Sequence, residues 1–204
     1  RQMCIRDRYK GILGFYCQPN QYGTQAGAFA ELHVEYEDGS KEVIATDETW
    51  AVKTGEIRYS EIYMGETIDT DAPEITEGNV VVKDFDKAVL TAQENEPVRI
   101  TEKIVGKELI VTPKGEKLVD FGQIVTGVVE AHVKGEKDQK IVIRHAEVLD
   151  KDGNFYPETL RQAKSIDTFI CNGEEQIFRP HFTFHGFRYI CVEGMEEFTA
   201  DQFI

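Results

Sequence analysis

Cysteine is scarce in this sequence, and its spacing excludes two common ways of holding a small protein together. The 204 residues include Cys4, Cys17, Cys171 and Cys191, and no two of these form a Cys-x-x-Cys pair. A disulfide framework or a zinc site needs denser or more regular spacing. We therefore expect reduced thiols that are buried or idle, no cofactor and no metal. Reduced thiols also favour the cytoplasm over an oxidising compartment.

Positive charge is also in short supply. Lysine and arginine number 23 against 37 aspartates and glutamates, and the formal net charge is −14. A field of this sign repels phosphate backbones and anionic lipids, so we expect no nucleic-acid partner and no membrane partner. No apolar run approaches the roughly 20 residues that a membrane helix needs. Glycine-rich phosphate loops and the Gly-x-Ser-x-Gly motif are absent too, so nucleotide and acyl-transfer chemistry have no support.

Strand patterns fill most of the sequence. Apolar residues occupy every second position over 28–36, a period of two that predicts one buried and one solvent-facing side. Asp38-Gly39 then supplies a hairpin turn, and 41–46 forms the returning strand. Only 157–164 could form a helical turn. An all-β sandwich is the economical interpretation. Further strands are predicted at 108–112, 127–133, 140–146, 167–171 and 187–192.

A polar run over 91–96 divides the chain. It ends at Pro97, which disfavours a helix before it and is typical of a connection between domains. The length suits one large or two small domains. We place the boundary near Gln93.

Two motifs resemble ion sites but have the wrong spacing. His181 and His185 would lie about 13 Å apart on an extended strand, too far for one metal, so we expect structural histidines. Asp150-Lys-Asp-Gly-Asn154 resembles the start of a calcium loop. Its glycine stands at the fourth position rather than the sixth, and no glutamate occupies the twelfth, which favours a β-turn.

A polar cluster is predicted across several strands. Alternation on the strand 140–146 sends His145 and Glu147 to one side, and Arg144 to the other. Asp167 opens the next strand, and His185-Gly-Phe-Arg-Tyr189 leads another whose glycine would admit a close approach. These side chains form either a connected polar network or a solvent-exposed ladder.

Longer motifs run through both halves of the chain. The second-half motifs are Leu118-Val-Asp-Phe-Gly-Gln123, Arg144-His-Ala-Glu-Val-Leu-Asp150, Asp152-Gly-Asn-Phe-Tyr156, Leu160-Arg161, Asp167 and Pro180-His-Phe-Thr-Phe-His-Gly-Phe-Arg-Tyr189. The upstream motifs are Tyr9-Lys-Gly-Ile-Leu-Gly-Phe15, Ala30-Glu-Leu-His-Val-Glu-Tyr-Glu-Asp-Gly-Ser40, Thr46-Asp-Glu-Thr-Trp50 and Ile62-Tyr-Met-Gly-Glu-Thr-Ile-Asp69. In order and spacing, the second-half motifs resemble the concanavalin-like β-sandwich domain of bacterial α-L-rhamnosidases, glycoside hydrolase family 78. The upstream motifs resemble the latter part of that family's N-terminal jelly-roll domain.

The resemblance implies an all-β fold of two consecutive antiparallel β-sandwich domains. The first, 9–92, is a carbohydrate-binding-like jelly roll truncated at its N-terminus, and the second, 93–204, is the concanavalin-like domain. Residues 1–8 match nothing in the family and are expected to be a non-native segment. Two motifs depart from the family pattern: Ile124 and Val128 replace Asn and Trp, and Ile68-Asp-Thr-Asp71 replaces Tyr-Asp-Ala-Arg.

The resemblance also implies what the chain does and lacks. Members of the family hydrolyse terminal non-reducing α-L-rhamnose with inversion, using carboxylic residues of an (α/α)6 barrel that follows these domains. We therefore expect a fragment with no catalytic residues, partnered by rhamnose-containing glycans or glycosides and by the catalytic barrel of the same polypeptide. The alternatives are a free-standing rhamnose-binding lectin and a purely structural surface module. A lectin would need exposed aromatics among Trp50, Tyr59 and Tyr63, and we expect Trp50 in the core.

Two sets of site residues follow from this interpretation. The Gly-Glu-Thr segment of the first domain is expected to bind sugar, and the polar network of the second is expected to be structural and to dock the barrel. The sugar-binding candidates are Tyr63, Glu66 and Asp69. The docking network comprises Arg144, His145, Glu147, Arg161, Asp167, His185 and Arg188.

Overall fold

The computed structural model describes residues 18–20, 27–86, 88 and 90–204. The predictions for residues 1–8, for the motif at 9–15 and for Cys4 and Cys17 lie outside these described residues. No helix within the described ranges is long and apolar enough to cross a membrane. The described strands are β1 Glu31–Glu35, β2 Lys41–Ala45, β3 Ala51–Lys53, β4 Ile57–Glu61, β5 Gly65–Asp69, β6 Thr76–Asn79, β7 Glu108–Val111, β8 Lys117–Gly127, β9 Ala131–Lys134, β10 Lys140–Ala146, β11 Val148–Leu149, β12 Phe155–Tyr156, β13 Ile166–Ile170, β14 Glu175–Phe178 and β15 His185–Glu193.

A seven-stranded sheet dominates the described structure. Its order is β4-β5-β13-β10-β15-β8-β7, and the smaller pairs are β1-β2, β3-β6, β9-β14 and β11-β12. The predicted all-β class is confirmed. Antiparallel pairing has one exception among the described strands, because β5 runs parallel to β13, with Ile68 opposite Phe169. The hairpin β4-β5 thus joins a sheet otherwise built from residues 108–193, and the boundary near Gln93 stays a prediction.

The main core lies between this sheet and the pair β9-β14. Ile141 and Ile143 point into it from alternate positions of β10, and both are fully buried. Phe169 of β13 stacks on Phe178 of β14, with ring centroids 4.7 Å apart. Burial of each such side chain contributes about 1.5–3 kcal/mol. The alternation seen in the sequence therefore selects the face that packs.

The predicted strand at 127–133 is wrong. Strand β8 ends at Gly127 and β9 begins only at Ala131. Between them, Glu130 exchanges two backbone hydrogen bonds with Ile204, at 2.7 and 2.9 Å. The chain therefore leaves the large sheet here and passes to the β9-β14 layer.

The hairpin β1-β2 forms as predicted, but its apolar side chains are not buried as predicted. The Asp38-Gly39 turn is present, with Gly39 at φ 81°. Leu32 is 60% exposed and Val43 is 54% exposed, because no other described strand pairs with this hairpin. Trp50 is 48% exposed, so its predicted place in the core is also wrong.

Several smaller predictions are confirmed. Glu158–Leu160 forms a short 3-10 helix within 157–164, although a second 3-10 helix at Ala200–Gln202 shows that this is not the only segment able to form one. The segment from Asp150 closes as a turn, since the Asp150 N–H donates to the Asn154 carbonyl at 2.8 Å. Cys171 and Cys191 are free and buried, and burial raises the pKa of Cys191 to about 11.

Candidate functional site

Three neighbouring strands bring a polar cluster into the core. His145 on β10, Asp167 on β13 and His185 on β15 are 0%, 0% and 3% exposed. On β10 the side chain of His145 follows Ile141 and Ile143 on the buried face, since alternate residues share a face. We call these three residues the His-Asp-His cluster. Its burial excludes the solvent-exposed ladder for these residues.

The cluster's nitrogen and oxygen atoms converge at distances longer than ordinary hydrogen bonds. His185 Nε2 lies 3.3 Å from both Asp167 oxygens. His145 Nε2 lies 3.9 Å from Asp167 Oδ2, and the two imidazole centroids are 4.2 Å apart. His145 Nε2, His185 Nε2 and Asp167 Oδ2 therefore surround a common small space.

Hydrogen bonding fixes how His145 faces that space. Its Nδ1–H donates to the Ser165 carbonyl at 2.8 Å, so the neutral ring presents Nε2 as a lone pair. Burial and the neighbouring His185 lower the pKa of His145 to about 3, and this keeps the ring neutral. His145 Nε2 and Asp167 Oδ2 are both buried without a hydrogen-bond partner.

The hairpin β4-β5 supports the cluster from one side. The Glu66 N–H donates to Asp167 Oδ1 at 2.9 Å, and the Ser165 N–H donates to the Tyr63 carbonyl at 3.1 Å. Gly65 adopts φ 108°, and a Cβ there would overlap the Ile166 carbonyl oxygen. Only glycine allows this approach of the hairpin to β13.

The other four residues of the predicted network lie apart from the cluster. Arg188 forms two hydrogen bonds of 2.8 Å with Asp120, a partner that the residue-level interpretation did not single out. The sequence signal for Asp120 is its position within the family motif at 118–123. Arg144 pairs with Glu193 at 3.2 Å and lies over the ring of Phe155.

Neither Glu147 nor Arg161 forms a hydrogen bond or an ion pair with the His-Asp-His cluster. Glu147 follows the end of β10, where strand alternation no longer applies. Arg161 follows the 3-10 helix Glu158–Leu160, its backbone has φ 57°, and its side chain is exposed. Gly186 does not provide the predicted close approach. A Cβ there would meet only Glu147 Oε1, at an ordinary 3.7 Å.

The three predicted sugar-binding residues differ in accessibility. Glu66 is 1% exposed, and its two oxygens accept the backbone N–H groups of His181 at 2.8 Å and Phe182 at 3.0 Å. A sugar hydroxyl would have to displace one of those amides. Tyr63 is 42% exposed and Asp69 is half-buried, so these two retain accessible surface. Sugar binding by this segment stays a prediction.

The described strands form an all-β structure in which a mixed seven-stranded sheet packs against smaller strand pairs. The family model described as the α-L-rhamnosidase N-terminal domain matches residues 6–102, so the expectation that residues 1–8 match nothing in the family is wrong for residues 6–8. The model of the bacterial α-L-rhamnosidase concanavalin-like domain matches residues 110–204. The chain therefore belongs to the bacterial α-L-rhamnosidase family.

Individual relatives agree with this assignment. An α-L-rhamnosidase of Streptomyces avermitilis is 34% identical over 198 residues, which cover 91% of this chain and 19% of that protein. The crystal structure of the Streptomyces avermitilis enzyme complexed with L-rhamnose superposes with a TM-score of 0.83 at 32% identity, covering 97% of this chain and 20% of the other. The native enzyme of Aspergillus terreus gives a TM-score of 0.84 at 32% identity, covering 96% and 24%. This chain thus spans about one fifth of the relatives' length.

Proposed function

We propose that this chain is the non-catalytic N-terminal part of an α-L-rhamnosidase, an inverting glycoside hydrolase that removes terminal non-reducing α-L-rhamnose from rhamnosides. One observation carries the proposal. The N-terminal and concanavalin-like domain models of this family match in order over nearly the whole chain, which spans about one fifth of the relatives. The two domains then supply a sugar-binding-like module and a scaffold for the catalytic barrel of the same polypeptide.

The buried carboxylates support a non-catalytic role. An inverting glycosidase needs a protonated carboxyl and a carboxylate roughly 6.5–9.5 Å apart, with water between them. Glu66 and Asp167 are 1% and 0% exposed and bind backbone amides, so neither is open to a substrate. Both carboxylate oxygens of Asp120 accept hydrogen bonds from Arg188.

Activity assays on an aryl α-L-rhamnoside test this proposal. The isolated chain should show no turnover above a blank, whereas the same chain continued into its catalytic barrel should hydrolyse the substrate. Turnover by the isolated chain that disappears when one of its own Asp or Glu residues is substituted would overturn the proposal. A downstream reading frame that stops at Ile204 would overturn it as well.

A free-standing rhamnose-binding lectin is the second candidate, and exposed aromatic side chains favour it. Trp50, Tyr59 and Tyr63 are 48%, 50% and 42% exposed, as stacking against a sugar ring requires. The downstream reading frame separates the candidates, since a frame that runs on into a helical barrel favours the rhamnosidase and a stop codon after Ile204 favours the lectin. Calorimetric titration of the isolated chain with L-rhamnose tests the lectin itself. A lectin requires saturable heat that Tyr63→Ala or Asp69→Ala abolishes, and the absence of heat would rule it out.

A further inference from the structure

We propose that His145, Asp167 and His185 bind one divalent transition-metal ion, with zinc the favoured occupant, inside the concanavalin-like domain. The two imidazoles and one carboxylate come from adjacent strands, β13, β10 and β15, so the sheet itself sets their positions. Their ligand atoms all lie within 4.8 Å of one another. The ligand types are those that zinc prefers.

Two buried polar atoms lie near each other here without a hydrogen-bond partner. His145 Nε2 and Asp167 Oδ2 are 3.9 Å apart, and neither has a partner. Buried polar atoms are nearly always satisfied, so this pair calls for an electropositive group between them.

The spacing fits a metal better than direct hydrogen bonds. An N–H···O bond normally measures about 2.9 Å between heavy atoms. Ligand atoms around tetrahedral zinc, each about 2.0–2.1 Å from the ion, lie about 3.3–3.4 Å apart. The distances from Asp167 Oδ2, 3.3 Å to His185 and 3.9 Å to His145, bracket that value closely enough for a small side-chain adjustment.

The surroundings also favour a bound cation. The Nδ1–H of His145 is fixed by the Ser165 carbonyl, the arrangement by which metal-binding imidazoles are usually oriented. Asp167 and Glu66 are both buried carboxylates, and no described Lys or Arg forms an ion pair with either. The three residues supply one ligand atom each, so a tetrahedral zinc would take its fourth ligand from the second oxygen of Asp167, which lies 3.3 Å from His185 Nε2, or from a water.

Metal content of the tag-free protein tests the site. Zinc is supplied to the folded chain and, separately, during refolding from urea, and loosely bound metal is then removed with a chelator. We expect about one zinc per chain by mass spectrometry after refolding, and ligand-field absorption bands when cobalt replaces zinc. At a hundredfold excess over the Kd, zinc should raise the Tm by about 5–10 °C.

Variants separate this site from adventitious binding. Asp167→Asn and His185→Gln should lose the metal, whereas His132→Gln should retain it, because His132 lies on β9 with a 40% exposed side chain and pairs with Glu130. Wild-type protein that binds no zinc by either route would overturn the proposal. So would stoichiometric zinc in folded Asp167→Asn, or its loss in His132→Gln. If Asp167→Asn does not fold, the wild-type stoichiometry and the cobalt spectrum decide.

Discussion

Glu66 offers the sharpest test of how the hairpin β4-β5 is attached to the rest of the sheet. Its carboxylate is buried and accepts the backbone N–H groups of His181 and Phe182, more than 100 residues along the chain. Glu66→Ala removes both acceptors and leaves two partly buried donors without partners. Charge-assisted hydrogen bonds of this kind contribute about 1.5–3 kcal/mol each.

We therefore expect Glu66→Ala to lower the free energy of unfolding by about 3–5 kcal/mol. Glu66→Gln keeps the shape and one acceptor oxygen but directs an amide N–H at the second donor, so it should lose about half as much. Glu74→Ala is the matched control, because Glu74 is 64% exposed and pairs only with the exposed Lys53. It should change stability by less than about 0.5 kcal/mol.

Urea unfolding followed by circular dichroism gives all three values on the isolated chain. Equal slopes of free energy against urea would show that the variants change stability rather than the compactness of either state. If Glu66→Ala and Glu74→Ala cost the same within about 0.5 kcal/mol, the carboxylate does not anchor 181–182 and the attachment argument is wrong. A normally stable Glu66→Ala would also return Glu66 to the list of available sugar ligands.

Three further predictions concern Arg188 and the domain boundary. Arg188→Ala should lower the stability of the isolated chain only modestly, because the pair with Asp120 is partly exposed. That pairing lowers the pKa of Asp120 below its ordinary value of 3.8, so the stability that the pair contributes is complete above pH 3.8 and is lost as the pH falls through the folded-state pKa. Urea unfolding curves measured from pH 7 to 3 should therefore show the stabilities of wild type and variant converging. A stability difference that stays constant over this range would contradict the assignment. In a full-length enzyme, Arg188→Ala should loosen the barrel interface and reduce activity without moving the pH optimum, and a shifted optimum would place Arg188 in the active site. A fragment of residues 57–204 should unfold at higher urea than one of residues 93–204, which lacks β4-β5; equal midpoints would support an independent domain beginning near Gln93.

Local patterns predicted the regular strands well. The range 140–146 coincides with β10, where the buried side chains of Ile141, Ile143 and His145 alternate with less buried neighbours. Strand β8 was missed because Asp120 and Gly122 interrupt its alternation. The structure explains the interruption: the pairing with β15 shifts register between Phe187 and Tyr189, and Gly122 adopts φ 78°. A bulge of this kind breaks the period that sequence reasoning relies on.

The sequence named the three members of the buried cluster but not their environment. Alternation placed His145 on one face of its strand, and the strand pattern had Asp167 opening one neighbouring strand and His185 leading another. Their burial depends on partners far along the chain, since Glu66 reaches Asp167 across 101 positions. No local pattern carries that information. Glu147 was included wrongly in the shared face because β10 ends one residue before it.

The backbone of Ser165 joins the two sets of predicted site residues. Its N–H donates to the Tyr63 carbonyl and its carbonyl accepts the Nδ1–H of His145, so one peptide segment contacts both the exposed hairpin turn and the buried cluster. Ser165 holds a left-handed φ of 48°, an uncommon conformation for a non-glycine residue that persists only where surrounding contacts fix it. Loss of Glu66 should therefore disturb the hairpin first and the cluster second. Loss of Asp167 should disturb both at once, because Asp167 binds the Glu66 amide and His185 together. The Glu66 N–H that binds Asp167 belongs to the backbone and survives Glu66→Ala, so coupling between the two side chains runs through the placement of the hairpin. A double-mutant cycle between positions 66 and 167 should give an interaction energy of about 0.5–3 kcal/mol, and additive costs would mean that the two side chains act independently.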